Sequence, residues 1–264
     1  MSPSFSAASL SERLAGVGLA RHILFYAELG STNEEAFDLA RQGAPEGTVV
    51  VADRQTQGRG RMQRVWVSPP GRNLYLSLVL RPDIAPEQAP QLSIVAGVAA
   101  AEALVGLCPG VTLKWPNDVL AGGRKLCGIL AEMKASAGRL DFVILGIGVN
   151  VNLLREECPP EIAGIATSLR DETGGPLSRV EVAAVFLRSL EAAYRTYCRE
   201  GFPPLRTRWL ERTDMAGKPV RVMAGTDVYE GRMAGLDDAG GLLLEEKTGG
   251  IRAVMAGDAS VVKG

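Results

Sequence analysis

The segment 57–64 concentrates positive charge and glycine in a short polar stretch. Guanidinium groups bind phosphates and carboxylates through a fixed fork of donors, and glycine lets the backbone approach a ligand closely. The segment therefore predicts an anion-binding loop, although a solvated basic loop or an RNA-binding tract remains an alternative when it is taken alone. The residues concerned are Gly58, Arg59, Gly60, Arg61 and Arg64.

This loop does not match the common nucleotide-binding motifs. Gln63 stands where G-x-G-x-x-G requires its last glycine, and the chain contains no G-x-x-x-x-G-K-[ST]. Dinucleotide-binding and P-loop folds are therefore not expected.

Two lysines in other segments add to this charge. Lys114 ends a predicted strand, and Asn117 and Asp118 follow it in a turn, where they could contact phosphate, ribose or Mg²⁺. Lys125 opens the second arm of a predicted hairpin, three residues before Gly128. Each segment alone could be an ordinary turn or a solvent-facing hairpin.

With the three arginines, the two lysines would oppose a nucleoside triphosphate. Like charges repel by ~1 to 4 kcal/mol per close pair. We therefore expect the arginine loop to stay mobile until a nucleotide or an acyl-adenylate orders it.

A glycine-lined strand and one tryptophan suggest a slot. The segment Phe142–Asn152 alternates so that Gly146 and Gly148 share one face. Each buried glycine costs ~0.5 to 1 kcal/mol in the strand, so either a close-packed helix or a flat apolar ligand should fill the space, with packing favoured. Trp66 could stack on a nucleobase or lie in the core.

The remaining elements follow from periodicity and turn residues. S-x-x-E patterns at Ser31 and Ser178 predict two capped helices, of which the second packs on the sheet. The N-terminus, Met1–Ser11, is expected to be a frayed tail. The other expected elements are strands at Thr48–Ala52, Leu74–Leu80 and Val111–Trp115, a helix at Leu92–Leu107, and a hairpin of Val119–Leu120 with Lys125–Met133.

From Met215 onward the pattern changes to short strands separated by turns rich in Gly and Asp, which favours a small barrel. We expect an N-terminal lead-in over 1–22, a catalytic domain over 23–213 and the barrel over 214–264. The barrel strands are predicted at Val220–Met223, Val228–Met233, Leu242–Glu245 and Ile251–Met255.

Composition narrows the function. The chain has 264 residues and a formal net charge of −1, so it lacks the overall basic excess typical of nucleic-acid binding. Its four cysteines contain no C-x-x-C pair and its only histidine is His22, which disfavours a zinc site and Ser-His-Asp catalysis. No secretory signal is seen and no membrane span is expected, so we predict a cytoplasmic protein with reduced thiols.

In their order and spacing, the motifs resemble those of biotin protein ligases, in the short form without an N-terminal DNA-binding domain. The resemblance runs from about residue 25 through the C-terminal barrel. It is carried by Ser31-Thr32-Asn33, Gln55-x-x-Gly58-Arg59-Gly60-Arg61, Trp66, Lys114-Trp115-Pro116-Asn117-Asp118, Lys125-x-x-Gly128-Ile129-Leu130-x-Glu132 and Gly146-x-Gly148-x-Asn150.

The resemblance implies an α+β fold with a mixed central β-sheet flanked by helices, like that of class II aminoacyl-tRNA synthetases, and a small C-terminal SH3-like β-barrel. It implies an enzyme that forms biotinyl-5′-AMP from biotin and ATP and biotinylates a lysine of a biotin carboxyl carrier protein domain. Mg²⁺ would arrive with ATP, without dedicated protein ligands. A homodimer is possible, and neither DNA nor a membrane is an expected partner.

The resemblance also implies roles for individual residues. Lys125 and Arg61 would be catalytic, with Lys125 bridging carboxylate and α-phosphate. Biotin would contact Ser31, Thr32, Asn33, Gln55, Gly58, Arg59, Arg61, Lys125, Gly128, Leu130 and Gly146. ATP or the adenylate would contact Arg61, Arg64, Trp66, Lys114, Asn117, Asp118 and Asn150.

One departure and two alternatives accompany this interpretation. The family usually has glycine where Gln63 stands, and a left-handed backbone there would cost roughly 1 to 2 kcal/mol. A lipoate ligase or octanoyltransferase of related fold is the nearest alternative function. A nucleic-acid binding module is the alternative from another class.

Overall fold

The computed structural model describes residues 5–247 and 249–262. Their order along the chain is α1 (Ala7–Arg13), β1 (His22–Leu29), α2 (Thr32–Arg41), β2 (Thr48–Gln55), β3 (Leu74–Leu80), α3 (Gln91–Val105), β4 (Val111–Lys114), β5 (Asp118–Ala121), β6 (Arg124–Ser136), β7 (Arg139–Val149), α4 (Pro160–Ala163), α5 (Leu169–Thr173), α6 (Arg179–Glu200), α7 (Pro203–Leu210), β8 (Pro219–Ala224), β9 (Asp227–Leu236), β10 (Leu242–Glu245), β11 (Ile251–Val254) and β12 (Asp258–Val261).

A seven-stranded sheet in the order β1-β2-β3-β7-β6-β5-β4 forms the centre of the larger unit. Its first pair, β1 with β2, is parallel and the other pairs are antiparallel. The predicted mixed sheet is therefore confirmed. In β6 and β7, Gly128 lies opposite Gly148 and Leu130 lies opposite Gly146, which places the glycines of two strands side by side.

The helices cover the sheet in layers. Helix α3 is buried on nearly all sides and packs against β4, β5 and β6, while α6 packs mainly on α3. Helix α6 also contacts β3, so the expectation that it packs on the sheet is confirmed, although its most extensive contact is with α3. On the other side of β2, β3 and β7 lies α2.

The two S-x-x-E patterns behave differently. Ser178 accepts a hydrogen bond from the Glu181 backbone N–H and caps α6. Ser31 precedes α2, but its side chain makes no capping hydrogen bond, so the predicted capping box is wrong there. The Glu34 carboxylate instead lies 3.3 Å from Arg59 and forms an ion pair with it beside the cleft described below.

The predicted frayed tail is also wrong within the described residues. Ser6 caps α1, and Leu10 in this helix and Leu14 directly after it are buried, whereas residues 1–4 of the predicted tail lie outside the described residues. A stripe of two leucines is too short to stand out as a periodic pattern, so local periodicity does not predict this helix.

We expect Leu10→Ala to lower the free energy of unfolding by about 2–5 kcal/mol, because the change removes a fully buried side chain. Urea denaturation measures the loss. Leu24→Ala is the control, since that side chain is 37% exposed. Equal, small losses in both variants would show that α1 does not belong to the core.

The C-terminal unit is an antiparallel sheet in the order β11-β10-β9-β8-β12. The four predicted strands are confirmed, and β12 is a fifth that the sequence analysis missed. Pairing between β11 and β12, which would close a barrel, is not seen in the described residues.

Several hydrogen bonds attach this sheet to the larger unit. Trp115 Nε1 donates to the Gly240 carbonyl at 3.0 Å, and Gln91 Nε2 donates to the Asp238 carbonyl at 2.8 Å.

One stretch, Pro86–Val105, is long and apolar enough to cross a membrane by length and composition. Of the apolar 18-residue window within this stretch, 67% is buried inside the protein.

Candidate functional site

One cleft of about 440 Å³ collects the candidate residues. It lies over β6 and β7, with α2 at one end and the arginine loop above. All the candidates named from the sequence line it except Gly58: Ser31, Thr32, Asn33, Gln55, Arg59, Arg61, Arg64, Trp66, Lys114, Asn117, Asp118, Lys125, Gly128, Leu130, Gly146 and Asn150. Their individual roles stay predictions.

Glycines form the floor of the cleft. A Cβ on Gly146 would lie 2.0 Å from Asn33 Oδ1, and one on Gly148 would lie 2.4 Å from the Trp66 ring. A side chain from α2 and a loop tryptophan therefore pack against these glycines, as the close-packing alternative predicts, and a flat ligand beside them stays a prediction. A Cβ on Gly58 would lie 2.4 Å from the Trp66 carbonyl, so the absence of a side chain lets this part of the loop pack against the Trp66 backbone.

Trp66 lies between the floor and a cation. Its ring centroid is 5.4 Å from Lys125 Nζ, within the range of a cation–π interaction. The indole Nε1 is buried and has no hydrogen-bond partner among the described residues. A buried donor without an acceptor is costly, and this nitrogen lies against the floor, since a Cβ on Gly148 would be 2.5 Å from it.

A chain of small polar side chains forms the end of the cleft next to α2. Gln55 Oε1 accepts from the Thr32 backbone N–H at 2.9 Å and from its hydroxyl at 3.1 Å. The buried Ser77 hydroxyl lies 2.6 Å from Asn33 Oδ1 and 2.8 Å from Thr32 Oγ1. Asn33 Nδ2 donates to Glu132 at 2.6 Å. The motif residues here hold one another, so their polar groups are preorganised.

Each end of the arginine loop is tied to carboxylates. Arg59 lies 3.3 Å from Glu34 and 3.5 Å from Glu132. Arg64 forms an ion pair with Asp258 of β12, and Arg61 lies 3.7 Å from the same carboxylate.

The other contacts of Arg61 are neutral acceptors. Arg61 Nη1 donates to Asn117 Oδ1 at 3.3 Å and to the Gly257 carbonyl at 3.2 Å. Burial lowers the pKa of the Arg61 guanidinium, and Asp258 and Asp118 act in the opposite direction. The C-terminal sheet thus contributes to the cleft, which the sequence analysis did not foresee.

Lys125 pairs with Asp118 at 2.6 Å. Four carboxylates, Glu34, Glu132, Asp118 and Asp258, therefore face the five cations of the cleft. The fold therefore supplies counter-charges that offset the expected repulsion, and the mobility expected of the loop stays a prediction.

The backbone of the loop is left-handed at Met62, with φ 54°, and at Gln63, with φ 58°. Gln63 therefore adopts the conformation for which the family's glycine is suited, at a cost of roughly 1 to 2 kcal/mol.

An apolar wall beside Lys125 was missed by the sequence analysis. It is formed by one segment after β7 together with Leu120 of β5. This segment lacks a period of 2 or 3.6 that would mark it as buried. The wall consists of Leu120, Leu153, Ile162, Ile165 and Ala166.

The side chain of Asn150 holds this wall in place through hydrogen bonds to the backbone. Its Nδ2 donates to the Thr167 carbonyl at 3.0 Å and to the Lys125 carbonyl at 3.4 Å, and its Oδ1 accepts from Asn73 at 3.3 Å. In this structure the amide of its side chain therefore binds two backbone carbonyls of the protein. Within residues 5–247 and 249–262, no group of three or more His, Cys, Asp or Glu side chains is arranged to hold a metal ion.

Chemically, the cleft offers a narrow floor, a polar end, a cationic middle and an apolar wall. A small ligand with a buried polar ring and a carboxylate could lie along the floor, with the carboxylate near Lys125. A phosphate beside Lys125 would meet Arg61, and a flat base could lie against the apolar wall.

Comparisons with known proteins agree with this geometry. The sequence model of the biotin/lipoate A/B protein ligase family matches residues 27–150, and that of the biotin protein ligase C-terminal domain matches residues 216–262.

The chain is 40% identical to the bifunctional ligase/repressor BirA of Bacillus spizizenii, over 91% of this chain and 74% of that protein. It is 38% identical to a biotin--[acetyl-CoA-carboxylase] ligase of Mycobacterium tuberculosis, over 97% of this chain and 95% of that protein.

The structure resembles that of the biotin protein ligase from Aquifex aeolicus in complex with biotin and ATP. The TM-score is 0.79 at 32% sequence identity, covering 92% of this chain and 100% of the other. The fold, the two matched segments and the relatives agree, and this chain belongs to the biotin protein ligase family.

Proposed function

We propose that the cleft joins biotin to ATP and then delivers biotin to one lysine of a biotin carboxyl carrier protein domain. In the first step a biotin carboxylate oxygen attacks the α-phosphorus of ATP, and pyrophosphate leaves. In the second step the lysine amine attacks the carbonyl of biotinyl-5′-AMP, loses a proton and releases AMP. The observation that carries the proposal is the convergence of Arg61, Lys125 and the Gly146 floor in one cleft.

The polar end and the floor suit biotin. Its ureido ring would exchange hydrogen bonds with Ser31, Thr32 and Gln55, of which Thr32 and Gln55 are already hydrogen-bonded to each other. The bicyclic rings would lie beside Gly146 and Gly128, where the missing Cβ atoms let Asn33 and Trp66 pack closely against the floor. In this placement Asn33 and Leu130 line the ring site, and Arg59 and Arg61 close over the ligand from the loop.

The cationic middle and the apolar wall suit the nucleotide. Lys125 would contact both the biotin carboxylate and the α-phosphate, and Arg61 would contact the same phosphate. Arg64, Lys114, Asn117 and Asp118 would face the remaining phosphates and the ribose. Trp66 and Asn150 complete this half, where Asn150 acts through the backbone of Lys125.

No step in this scheme needs a nucleophile from the enzyme. The protein contributes alignment and positive charge where negative charge grows on the pentavalent phosphorus. Mg²⁺ would enter on the ATP phosphates and offset part of their charge. Asp118 offers a carboxylate on this side of the cleft, consistent with a metal carried mainly by the nucleotide.

The domain bounds, the cellular compartment and the partners of the enzyme are also proposals. We propose that residues 23–213 form the catalytic unit, that residues 214–264 form the C-terminal unit, and that residues 1–22 are a lead-in. The enzyme would act in the cytoplasm on a carrier domain of a carboxylase, as a monomer or homodimer, without DNA or a membrane as partner. Four free cysteines are consistent with a reducing compartment.

Biotin is preferred to lipoate or octanoate for two reasons. The cleft ends in a dense set of polar groups, which a dithiolane or an alkyl chain would desolvate without adding hydrogen bonds. The C-terminal match and the relatives point the same way. A nucleic-acid binding module has no such support.

ATP–pyrophosphate exchange tests the proposal. We expect exchange that depends on biotin and that lipoate or octanoate does not replace. Transfer of labelled biotin to a carrier domain tests the second step. Well-folded protein that shows no exchange with biotin, or stronger exchange with lipoate, would overturn the assignment.

A further inference from the structure

A partly buried carboxylate outside the cleft connects the two segments that place Lys125. Glu172 lies in α5 with its side chain 17% exposed. Its Oε1 accepts a hydrogen bond from the Thr167 hydroxyl at 2.5 Å and another from Arg124 Nη2 at 2.8 Å. Arg124 directly precedes Lys125 in β6, and Thr167 follows the apolar wall, so one oxygen holds both.

The same two segments also pair through their backbones. The Lys125 N–H donates to the Ile165 carbonyl at 2.7 Å, and the Thr167 N–H donates to the Lys125 carbonyl at 2.9 Å. Lys125 and Ala166 form an isolated parallel bridge. The part of the wall at Ile165 and Ala166 therefore runs parallel to the start of β6 as a short extra strand, which is only one bridge long.

A bridge of this length needs support from side chains. The β5–β6 ladder is irregular here, with a register shift between Val119 and Leu120. The turn at Gly122 lies against Glu172, since a Cβ there would be 3.7 Å from its carboxylate. Glu172 thus contacts the hairpin turn, the residue before Lys125 and the end of the wall.

We propose that Glu172 is a positioning residue that fixes Lys125 and the apolar wall for the nucleotide. This inference rests on the proposed function, because it assigns the wall and Lys125 to ATP. Glu172 touches no substrate in this scheme. The ring site for biotin is built from α2, β2, β7 and residues 128–130 of β6, so among the biotin contacts only that of Lys125 depends on Glu172.

The distinguishing result is a selective effect on ATP. Loss of hydrogen bonds to a charged acceptor lets the wall and Lys125 separate, so Glu172→Ala should raise KM for ATP about tenfold in biotin-dependent exchange. The Kd for biotin should stay within about twofold. Glu172→Gln keeps an acceptor oxygen for both donors and should recover most of the loss.

Glu191→Ala is the matched control. Glu191 Oε1 also accepts from two donors, the Gly18 backbone N–H at 2.9 Å and Arg195 at 2.6 Å, with its side chain 13% exposed. It lies on α6, outside the cleft. We expect a similar fall in Tm in both alanine variants, but an unchanged KM for ATP in Glu191→Ala.

Amide hydrogen exchange provides a readout that does not require turnover. In Glu172→Ala the amides of Lys125 and Thr167 should exchange at least about tenfold faster than in the wild type, while Glu191→Ala leaves them unchanged. Thr167→Val removes one of the two donors and serves if Glu172→Ala does not fold. It should give a smaller shift in the same direction.

The outcomes separate the two proposals. Wild-type protein without biotin-dependent exchange overturns the proposed function, whereas the amide result still tests the role of Glu172. Equal KM values for ATP in the wild type and Glu172→Ala overturn the inference, as do unchanged Lys125 and Thr167 amides. Selective loss of ATP affinity with rescue by glutamine supports it.

Discussion

Lys125→Ala is expected to lower the rate of biotin-dependent ATP–pyrophosphate exchange by roughly 10²–10³-fold, because it removes a preorganised positive charge from the reacting phosphate. Lys125 Nζ lies 2.6 Å from Asp118 and 5.4 Å from the Trp66 ring centroid, so the ammonium is held in place before substrates arrive. Its removal also leaves the Asp118 carboxylate without its counter-ion, which repels a triphosphate. The loss should therefore appear in both kcat and kcat/KM.

Lys134→Ala provides the matched control for this charge. Lys134 lies on the same strand, β6, with its side chain 44% exposed and 4.0 Å from Asp141. Exchange should stay near the wild-type rate, since exposed pairs of this kind contribute about 0–1 kcal/mol to stability. Equal rates for Lys125→Ala and the wild type would exclude Lys125 from the chemistry and leave the cleft without its central group.

Gly146→Ala is expected to weaken biotin binding by roughly 5- to 150-fold, which corresponds to about 1–3 kcal/mol of overpacking. A Cβ at this position would lie 2.0 Å from Asn33 Oδ1 and 2.7 Å from Asn33 Cγ. Asn33 cannot retreat freely, because it is hydrogen-bonded to Glu132 and Ser77. The methyl group would therefore push Asn33 from its site or intrude on the floor. Isothermal titration with biotin measures the effect.

Gly97→Ala is the control for the glycine substitution. A Cβ on Gly97 in α3 would meet Leu113 Cδ2 at 3.6 Å, an ordinary van der Waals contact. Because alanine is favoured over glycine in a helix by about 0.5–1 kcal/mol, this variant should bind biotin normally and be at least as stable as the wild type. Tight biotin binding by Gly146→Ala would show that the glycine floor is not the biotin site.

The sequence determined the chemistry and most of the local structure. Arginines interleaved with glycines at 58–64, a lysine at a strand end and alternating glycines in a strand each imply a physical property of their own segment. The same local logic predicted the Gly122-Gly123 hairpin, which the structure has between β5 and β6. Such patterns depend on neighbours a few residues away, and these are visible in the sequence.

Charge balance in the cleft was decided only by the tertiary structure. Asp258 lies in β12, almost two hundred residues from Arg61 and Arg64, and nothing in its local sequence marks it as their partner. The same holds for Glu34, which resembles a capping residue in the sequence but faces Arg59 in the fold. An ion pair between distant segments depends on how whole elements pack, so spacing along the chain does not reveal it.

The position of Lys125 shows the division most clearly. Its residue type and its place in a hairpin predicted a cation beside a ligand. Its orientation depends on Ile165, Thr167 and Glu172, which belong to a segment without periodicity. The sequence by itself therefore determined which groups can do the chemistry, whereas long-range backbone pairing and buried hydrogen bonds, which form only in the packed chain, decided where those groups lie.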